Sequence, residues 1–499
     1  MQRLEDIDLS IKSRLKALEN ETVASLKYGL TDVAHRKIIE SVVLSRILYG
    51  EREWRHAQYI TFLASSYLLF KGPSYAAQAE QHAEQAKQIL LSYATCLHGM
   101  VQYETQDDQV QRKAKALLLV IFLTYYLLAQ TKYILKKFRD ALHFATKAEC
   151  TLDELKLSDT TSEDKQDFCF NQSKSSKLRS SDSSEYDLLD MDDFDHGSIL
   201  LTPGGGFFPS LSQMSVRMLM LLGRIMLSLG KYSAATDYFE KALSIVNEFE
   251  EEDSAQKIAI YNAMAQVEQN KNPADFGEAA EILEKSYKIT KKKLKLEDTL
   301  DIRLEVARAG NLLCSACLAA DTPSYTKKAE EFATEAFYLI TESNGEQRVE
   351  AAKDNTTQEE LISVSKHVYD VEANRDAYLN ADSRLVDCAC QLRSILIKIY
   401  LGSDRHQEAV KLLKQNLRSQ QITHGLYSAD AVNTQKLLLS TSLAMGEYKD
   451  SIKQAKECLS LEEFTFGTKS KQACKTREIL ETLQEVLSPG PPALHPKAK

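Results

Sequence analysis

One stretch, Leu211 to Val246, limits what this chain can fold into more than any other. It reads LSQMSVRMLMLLGRIMLSLGKYSAATDYFEKALSIV, an apolar-periodic helix, a Gly-Lys-Tyr turn at Gly230 to Tyr232, and a second amphipathic helix. Gly223 lies inside the first helix, and Ala235, Phe239 and Ala242 follow it by twelve, sixteen and nineteen residues. Small residues at Gly223, Ala235 and Ala242 let two antiparallel helices approach closely, and Phe239 fills the gap between them and the next pair. A helical pair of this kind cannot bury its apolar face alone, so copies of it must stack.

The spacing recurs. Ala129, Ala141, Ala145 and Ala148 carry the same offsets, as do Leu439, Ser451, Ala455 and Cys458, where Gly446 and Tyr448 repeat the Gly-x-Tyr turn. Ile397, Ala409, Leu413 and Asn416 carry them with weaker residue identities. Three further copies keep the second helix but lengthen the turn: Ala79/Ala83/Ala86 after Ala64, Ala279/Leu283/Ser286 after Ala265, and Ala329/Ala333/Ala336 after Gly310. This is the signature of the tetratricopeptide repeat (TPR). It predicts an all-α, right-handed TPR superhelix, an α-α solenoid of about seven helical pairs. Asn416 and Cys458 hold equivalent positions 42 residues apart, longer than the usual period of about 34. RSQQITHGLYSADAVNTQ supplies the excess, and SRILYGEREWRHAQ and EEFTFGTKSKQACKT are built alike, with an apolar residue beside a Gly, a polar turn and a new helix. In repeat style these segments resemble kinesin-light-chain-like repeats.

Composition fits long helices, with only 18 Gly and 9 Pro in 499 residues. The opening MQRLEDIDLSIK is charged and has no apolar core of a secretory signal. The run Ala116 to Ala129, ALLLVIFLTYYLLA, covers 14 residues, short of the roughly 20 that a spanning helix needs, and it coincides with the first helix of a repeat, so it reads as core. Nine Cys without a signal imply reduced thiols and a cytoplasmic chain. Trp54, the single Trp, enters the first pair of the pattern in a packing role.

Five segments follow: an N-terminal helical cap at 1–35, repeats at 36–150, an acidic Ser/Asp-rich insertion at 151–210, repeats at 211–487, and a flexible tail at 488–499. Within the insertion, residues 157–197 hold 11 Asp and Glu, 4 Lys and Arg, and 9 Ser, a net of −7 against the chain's −9. The rest of the chain is therefore nearly neutral. So little aliphatic content with so much charge predicts disorder.

Catalytic signatures are lacking. The Gly204 to Gly206 run falls in the insertion, where a linker is the ordinary reading, and no HExxH or local Ser/His/Asp signature appears. Cys314 and Cys317 share a helix face and Cys388 and Cys390 do not. A structural zinc site wants four ligands, so these read as small buried thiols, and no metal or cofactor is expected. Lys285, Lys288, Lys291 to Lys293 and Lys295 sit at a helix C-terminus, where cations favour the dipole; a near-neutral fold lacks the basic field of a nucleic-acid binder. Leu188-Leu189-Asp190-Met191-Asp192 fits a clathrin-box-like peptide, against a default of chance. Thr160, Thr161 and Ser184 have acids three residues on, a weak acidophilic-kinase pattern.

Residues 42–90 carry an Arg-Ile-x-Tyr-Gly stretch, Trp54, the Lys71-Gly72 turn and the helix QHAEQAKQIL. They resemble the opening repeat of the family of tetratricopeptide repeat protein 23 and tetratricopeptide repeat protein 23-like. Residues 456–476, KECLSLEEFTFGTKSKQACKT, resemble that family's last repeat. The chain departs from the family in the acidic insertion and between about Asn344 and Ser383. The resemblance implies a non-enzymatic protein of cilia and the microtubule cytoskeleton, and for one branch a role at the ciliary base in Hedgehog signalling.

The leading expectation is an adaptor whose groove, lined by first helices, holds a peptide of a protein partner. Tyr126, Lys132, Arg224 and Tyr400 lie on first helices and are the candidate groove residues. Gly223, Ala235, Phe239, Ala242, Ala141, Ala148, Ala409 and Ala455 are the packing positions. Two alternatives stand beside it: a structural axonemal or microtubule-associated component, and a trafficking adaptor regulated by its acidic insertion.

Overall fold

A computed structural model of the chain describes residues 2–100, 108–160, 211–249, 255–341 and 383–487. Seventeen α-helices and no strand occur among the described residues. The acidic insertion beyond residue 160, the departure after Asn344 and the tail at 488–499 lie outside them, and with them Thr161, Ser184, the Leu188 to Asp192 motif and Gly204 to Gly206.

Two compact units divide the chain, Met1–Phe249 and Glu250–Lys499. In the first, α1 (Gln2–Lys27) and α2 (Thr31–Tyr49) form an antiparallel pair. Three more pairs follow: α3 (Trp54–Ser66) with α4 (Ala76–Met100), α5 (Asp108–Ile134) with α6 (Phe138–Thr160), and α7 (Leu211–Ser228) with α8 (Tyr232–Phe249). The second unit holds α9 (Ala255–Asn270) with α10 (Phe276–Leu296), α11 (Leu300–Ala319) with α12 (Pro323–Thr341), α13 (Ser383–Gly402) with α14 (His406–Thr423), and α15 (Ala429–Ala444) with α16 (Tyr448–Phe466). A last helix, α17 (Lys471–Leu487), covers α16. The boundary expected at 35 falls inside α2, which pairs with α1 as a unit. The boundary expected at 150 falls inside α6, whose apolar spacing carries on through Leu152 and Leu155, both buried.

The repeat arithmetic becomes packing. All four pattern positions in each of the seven pairs are buried, from Ala64, Ala79, Ala83 and Ala86 to Leu439, Ser451, Ala455 and Cys458. Close approach is tightest at Gly223, where a Cβ would lie 2.5 Å from the Phe239 ring, and at Gly310, where it would lie 2.8 Å from Ala336 Cβ. The lengthened turn of the first repeat is a π turn at Tyr67–Lys71 and a short 3-10 turn at Pro73–Tyr75. Asn416 departs from the small residue usual at its position because its amide is used: Nδ2 donates to Cys390 O at 3.1 Å and to Ser394 Oγ at 3.1 Å.

Several tight turns close with the same hydrogen bonds. Lys231 N donates to Met226 O and Gly230 N to Leu227 O, a Schellman cap with Gly230 at φ 73°. Glu447 N to Ser442 O and Gly446 N to Leu443 O repeat it. In the α5–α6 turn Lys136 takes the same place at φ 59°, a conformation that costs a residue with a Cβ.

Helix α5 is the one helix among the described residues long and apolar enough to cross a membrane, over Ala114–Ile134. That stretch has 21 residues and not the 14 counted from sequence, so length alone does not separate the readings. Packing does: α3, α4, α6 and α7 all touch α5, and Val120, Phe122, Leu128 and Ala129 are buried in their midst.

Candidate functional site

On a first helix, direction is set relative to the close-approach residue, at 100° per residue. Tyr126 precedes Ala129 by three, and Arg217 and Arg224 stand six before and one after Gly223. These three fall between about +60° and +120° from the close-approach direction. Lys132 and Tyr400, three residues after Ala129 and Ile397, fall at about −60°, toward the second helices.

The structure follows that geometry. Lys132 is a packing residue: it ion-pairs with Glu80 of α4, both side chains largely buried, and its Nζ lies 6.0 Å from the Phe144 ring centroid. Tyr400 is 2% exposed and packs in the core of the second unit, with the Arg405 guanidinium 4.1 Å from its ring centroid. Neither lines an open face, contrary to the sequence expectation.

Tyr126 and Arg224 do come together. Tyr126 on α5 is half-buried, stacks on Phe122 at 6.0 Å and rests on the core of the first unit. Burial pushes its phenol up, while Arg217 and Arg224 of α7 are near enough to act on it in the opposite sense. Arg224 is exposed and Arg217 half-buried, and neither guanidinium has an ion-pair partner among the described residues. Seven residues apart on one helix, they stand about 10 Å from each other on a common face. Met220 lies between them, buried, and Leu227 follows, half-buried. Sequence reading missed Arg217, although its seven-residue spacing from Arg224 was visible. Two unpaired arginines beside a tyrosine over apolar side chains suit a ligand with spaced carboxylates or phosphates, which guanidinium groups grip in bidentate fashion.

Other candidates offer less. A cavity of about 70 Å³ between α4 and α5, lined by Lys87, Leu90, Leu91, Ile121, Thr124 and Tyr125, has room for little more than water. Cys314, Cys317, Cys388 and Cys390 are buried, and desolvation raises all four thiols, that of Cys317 to about 11. Such thiols are poor nucleophiles at neutral pH. No group of three or more potential metal ligands occurs among the described residues. The lysines at the end of α10 are engaged with acids, Lys291 with Glu335 and Lys288 with Glu284.

Residues 215–292, from α7 to α10, match the Tetratricopeptide repeat family. Those residues carry tetratricopeptide repeats. The chain is 31% identical to Tetratricopeptide repeat protein 23-like of Bos taurus over 143 residues, 28% of this chain and 41% of that one. It is 21% identical to the Mus musculus protein of that name over 435 residues, 86% of this chain and 79% of the other. With Tetratricopeptide repeat protein 23 of Homo sapiens it shares 32% identity over 122 residues, 24% of each chain. The TPR chain is thus similar to tetratricopeptide repeat proteins 23 and 23-like. Among solved structures, the apo form of RapI aligns with a TM-score of 0.44 at 12% identity, over 94% of this chain and 97% of that one. The nearly identical TPR-like repeats of a putative kinesin light chain of Podosopora anserina align with a TM-score of 0.33 at 17% identity, over 51% and 97%. The TPR architecture makes the chain a protein-interaction scaffold, and no enzymatic family is indicated.

Proposed function

We propose that the chain is a non-enzymatic adaptor that binds protein partners through the first-helix face of its N-terminal unit, at the cilium or its base, where the partners serve Hedgehog signalling or the microtubule cytoskeleton. One observation carries the binding reading: Tyr126, Arg217 and Arg224 from neighbouring first helices share a face, and among the described residues the two guanidinium groups have no acid to hold. A scaffold spends no such charge on its own packing, so it is available to a partner. The ciliary placement rests on what the resemblance of residues 42–90 and 456–476 to that family implies, since the names of the similar proteins state no location.

Proximity labelling in a ciliated cell, with the wild-type chain and an Arg217→Glu/Arg224→Glu variant, tests both parts. The expected result is a set of ciliary neighbours that the variant loses while still folding and localising. An unchanged set would sink the binding face, and neighbours drawn from another compartment would sink the placement. Microtubule co-sedimentation of purified chain is expected to leave it in the supernatant; pelleting without a partner would favour a lattice component instead.

A further inference from the structure

The face just described asks for a ligand with spaced negative charges and apolar side chains, and this chain carries one. Residues 182–195 hold Asp182, Glu185, Asp187, Asp190, Asp192, Asp193 and Asp195 and no Lys or Arg, with Leu188, Leu189, Met191 and Phe194 among them. We propose that this acidic, hydrophobic segment of the chain's own insertion occupies the Tyr126–Arg217–Arg224 face and competes there with partners. The proposal rests on the reading of that face as an interaction surface and gives its occupant and its regulation.

Charge complementarity carries the argument. Two guanidinium groups without an ion-pair partner among the described residues meet a segment whose acids have no cations among them. Spacing agrees as well. Arg217 and Arg224 are about 10 Å apart along α7, and Asp187, Asp190 and Asp193 recur every third residue, a spacing that a polyproline II conformation places on one side at about 9 Å. Leu188, Leu189 and Met191 lie between these carboxylates in the sequence, and the half-buried Tyr126 offers an apolar ring beside the arginines. Reach is no obstacle, because α7 begins at Leu211 and the 17 residues from Phe194 to Leu211 span up to about 58 Å. The whole of α7 is about 27 Å long, so the segment can be placed anywhere along it. Because the segment is tethered, its effective concentration at the face is high even where its intrinsic affinity is modest.

Hydrogen exchange of the full chain reads occupancy directly. Amides of residues 186–194 are expected to exchange at least tenfold more slowly than in a synthetic peptide of residues 181–197. That protection is expected to vanish in Arg217→Glu/Arg224→Glu and in the milder Arg217→Gln/Arg224→Gln. A second arm leaves the helices untouched: with Asp187, Asp190, Asp192 and Asp193 replaced by Asn, the full chain should bind the labelled peptide at least tenfold more tightly than wild type does. Peptide-like exchange in the wild type, with no peptide bound by the neutralised chain, would overturn the proposal. Protection that disappears on dilution, together with loss of dimer mass, would also overturn it, because the occupant would then be a second copy. If self-occupancy fails while partner labelling still depends on Arg217 and Arg224, only this inference falls and the interaction face stands.

Discussion

Gly223→Ala probes the closest helix contact in the repeat on which the fold reading rests. The new methyl would lie 2.5, 2.7 and 2.8 Å from Cε1, Cζ and Cδ1 of Phe239. Carbon atoms settle about 3.5–4.0 Å apart, so the ring or the helix must retreat by about 1 Å. Phe239 is fully buried between α7 and α8 and cannot swing into solvent. Overpacking of this kind costs about 1–3 kcal/mol, and an overlap against a rigid ring belongs in the upper part of that range. Ala inside a helix returns about 0.8–1 kcal/mol relative to Gly, leaving a net loss of about 1.5–2 kcal/mol. In a unit of this size that lowers the thermal midpoint by roughly 3–8 °C. Gly402→Ala is the control: nothing lies within 4 Å of its Cβ position, so only the propensity gain operates and stability should stay level or rise. Differential scanning calorimetry of both variants, with amide exchange in α7 and α8 to localise the loss, measures the difference. The double variant Gly223→Ala/Phe239→Leu should lose less than the sum of its single changes, by about 0.5–3 kcal/mol of coupling. If Gly223→Ala proves as benign as Gly402→Ala, the close-approach reading is refuted.

Lys136→Gly relieves a left-handed residue in the α5–α6 Schellman turn, and a gain of about 1 kcal/mol is expected by chemical denaturation; a loss would show that the Lys136 side chain does something the turn needs. Lys436→Ala strips the partner from Glu462, a fully buried carboxylate 2.7 Å from Lys436 Nζ, with an expected cost of about 3–5 kcal/mol, and the paired change Lys436→Met/Glu462→Leu should recover most of it. In the first unit His35 Nδ1 meets Ser66 Oγ at 2.8 Å and His56 Nδ1 meets Ser45 Oγ at 2.9 Å. Both hydroxyls already donate to carbonyls, of Leu63 and Val42, so each imidazole donates from Nδ1. Burial lowers both pKa values below 6.5. The unfolded state therefore takes up protons first, and melting temperature should be flat above about pH 7.5 and fall as pH drops through 6.5. His56→Gln should flatten that slope, and an unchanged pH profile would contradict the neutral, buried assignment.

The pairing of helices was legible because its signal is arithmetical. Offsets of twelve, sixteen and nineteen name contacts that any tightly packed antiparallel pair must make, and Gly223, Ala141 and Ala455 are buried where that count put them. Element ends were less legible: α6 runs past 150 to Thr160, since nothing in its last turns breaks a helix. The candidate face needed more than presence on a first helix. Lys132 and Tyr400 sit on the buried sides of α5 and α13 while Arg224 is exposed on α7, and less than half a turn around a first helix separates a groove direction from a core direction. Lys132 misleads most. A lysine reads as exposed, yet its charge is met by Glu80, whose carboxyl burial tends to raise and Lys132 holds low.

The residue directly after each close-approach position shows what the first helices select. In chain order it is Ser65, Gln130, Arg224, Gln266, Asn311, Lys398 and Ser440. None is acidic, in a chain where Asp and Glu outnumber Lys and Arg by 71 to 62. Asn311 is the exception in exposure: its amide donates to Cys388 O at 3.3 Å and to Gln391 Oε1 at 3.0 Å, tying α11 to α13. Arg224, Lys398 and Ser440 are exposed. Two of the seven, Arg224 and Lys398, are basic, and both are exposed on side chains that point away from the second helix. Cations in those places can take a negatively charged ligand, as the proposed occupancy of the Arg217–Arg224 face requires.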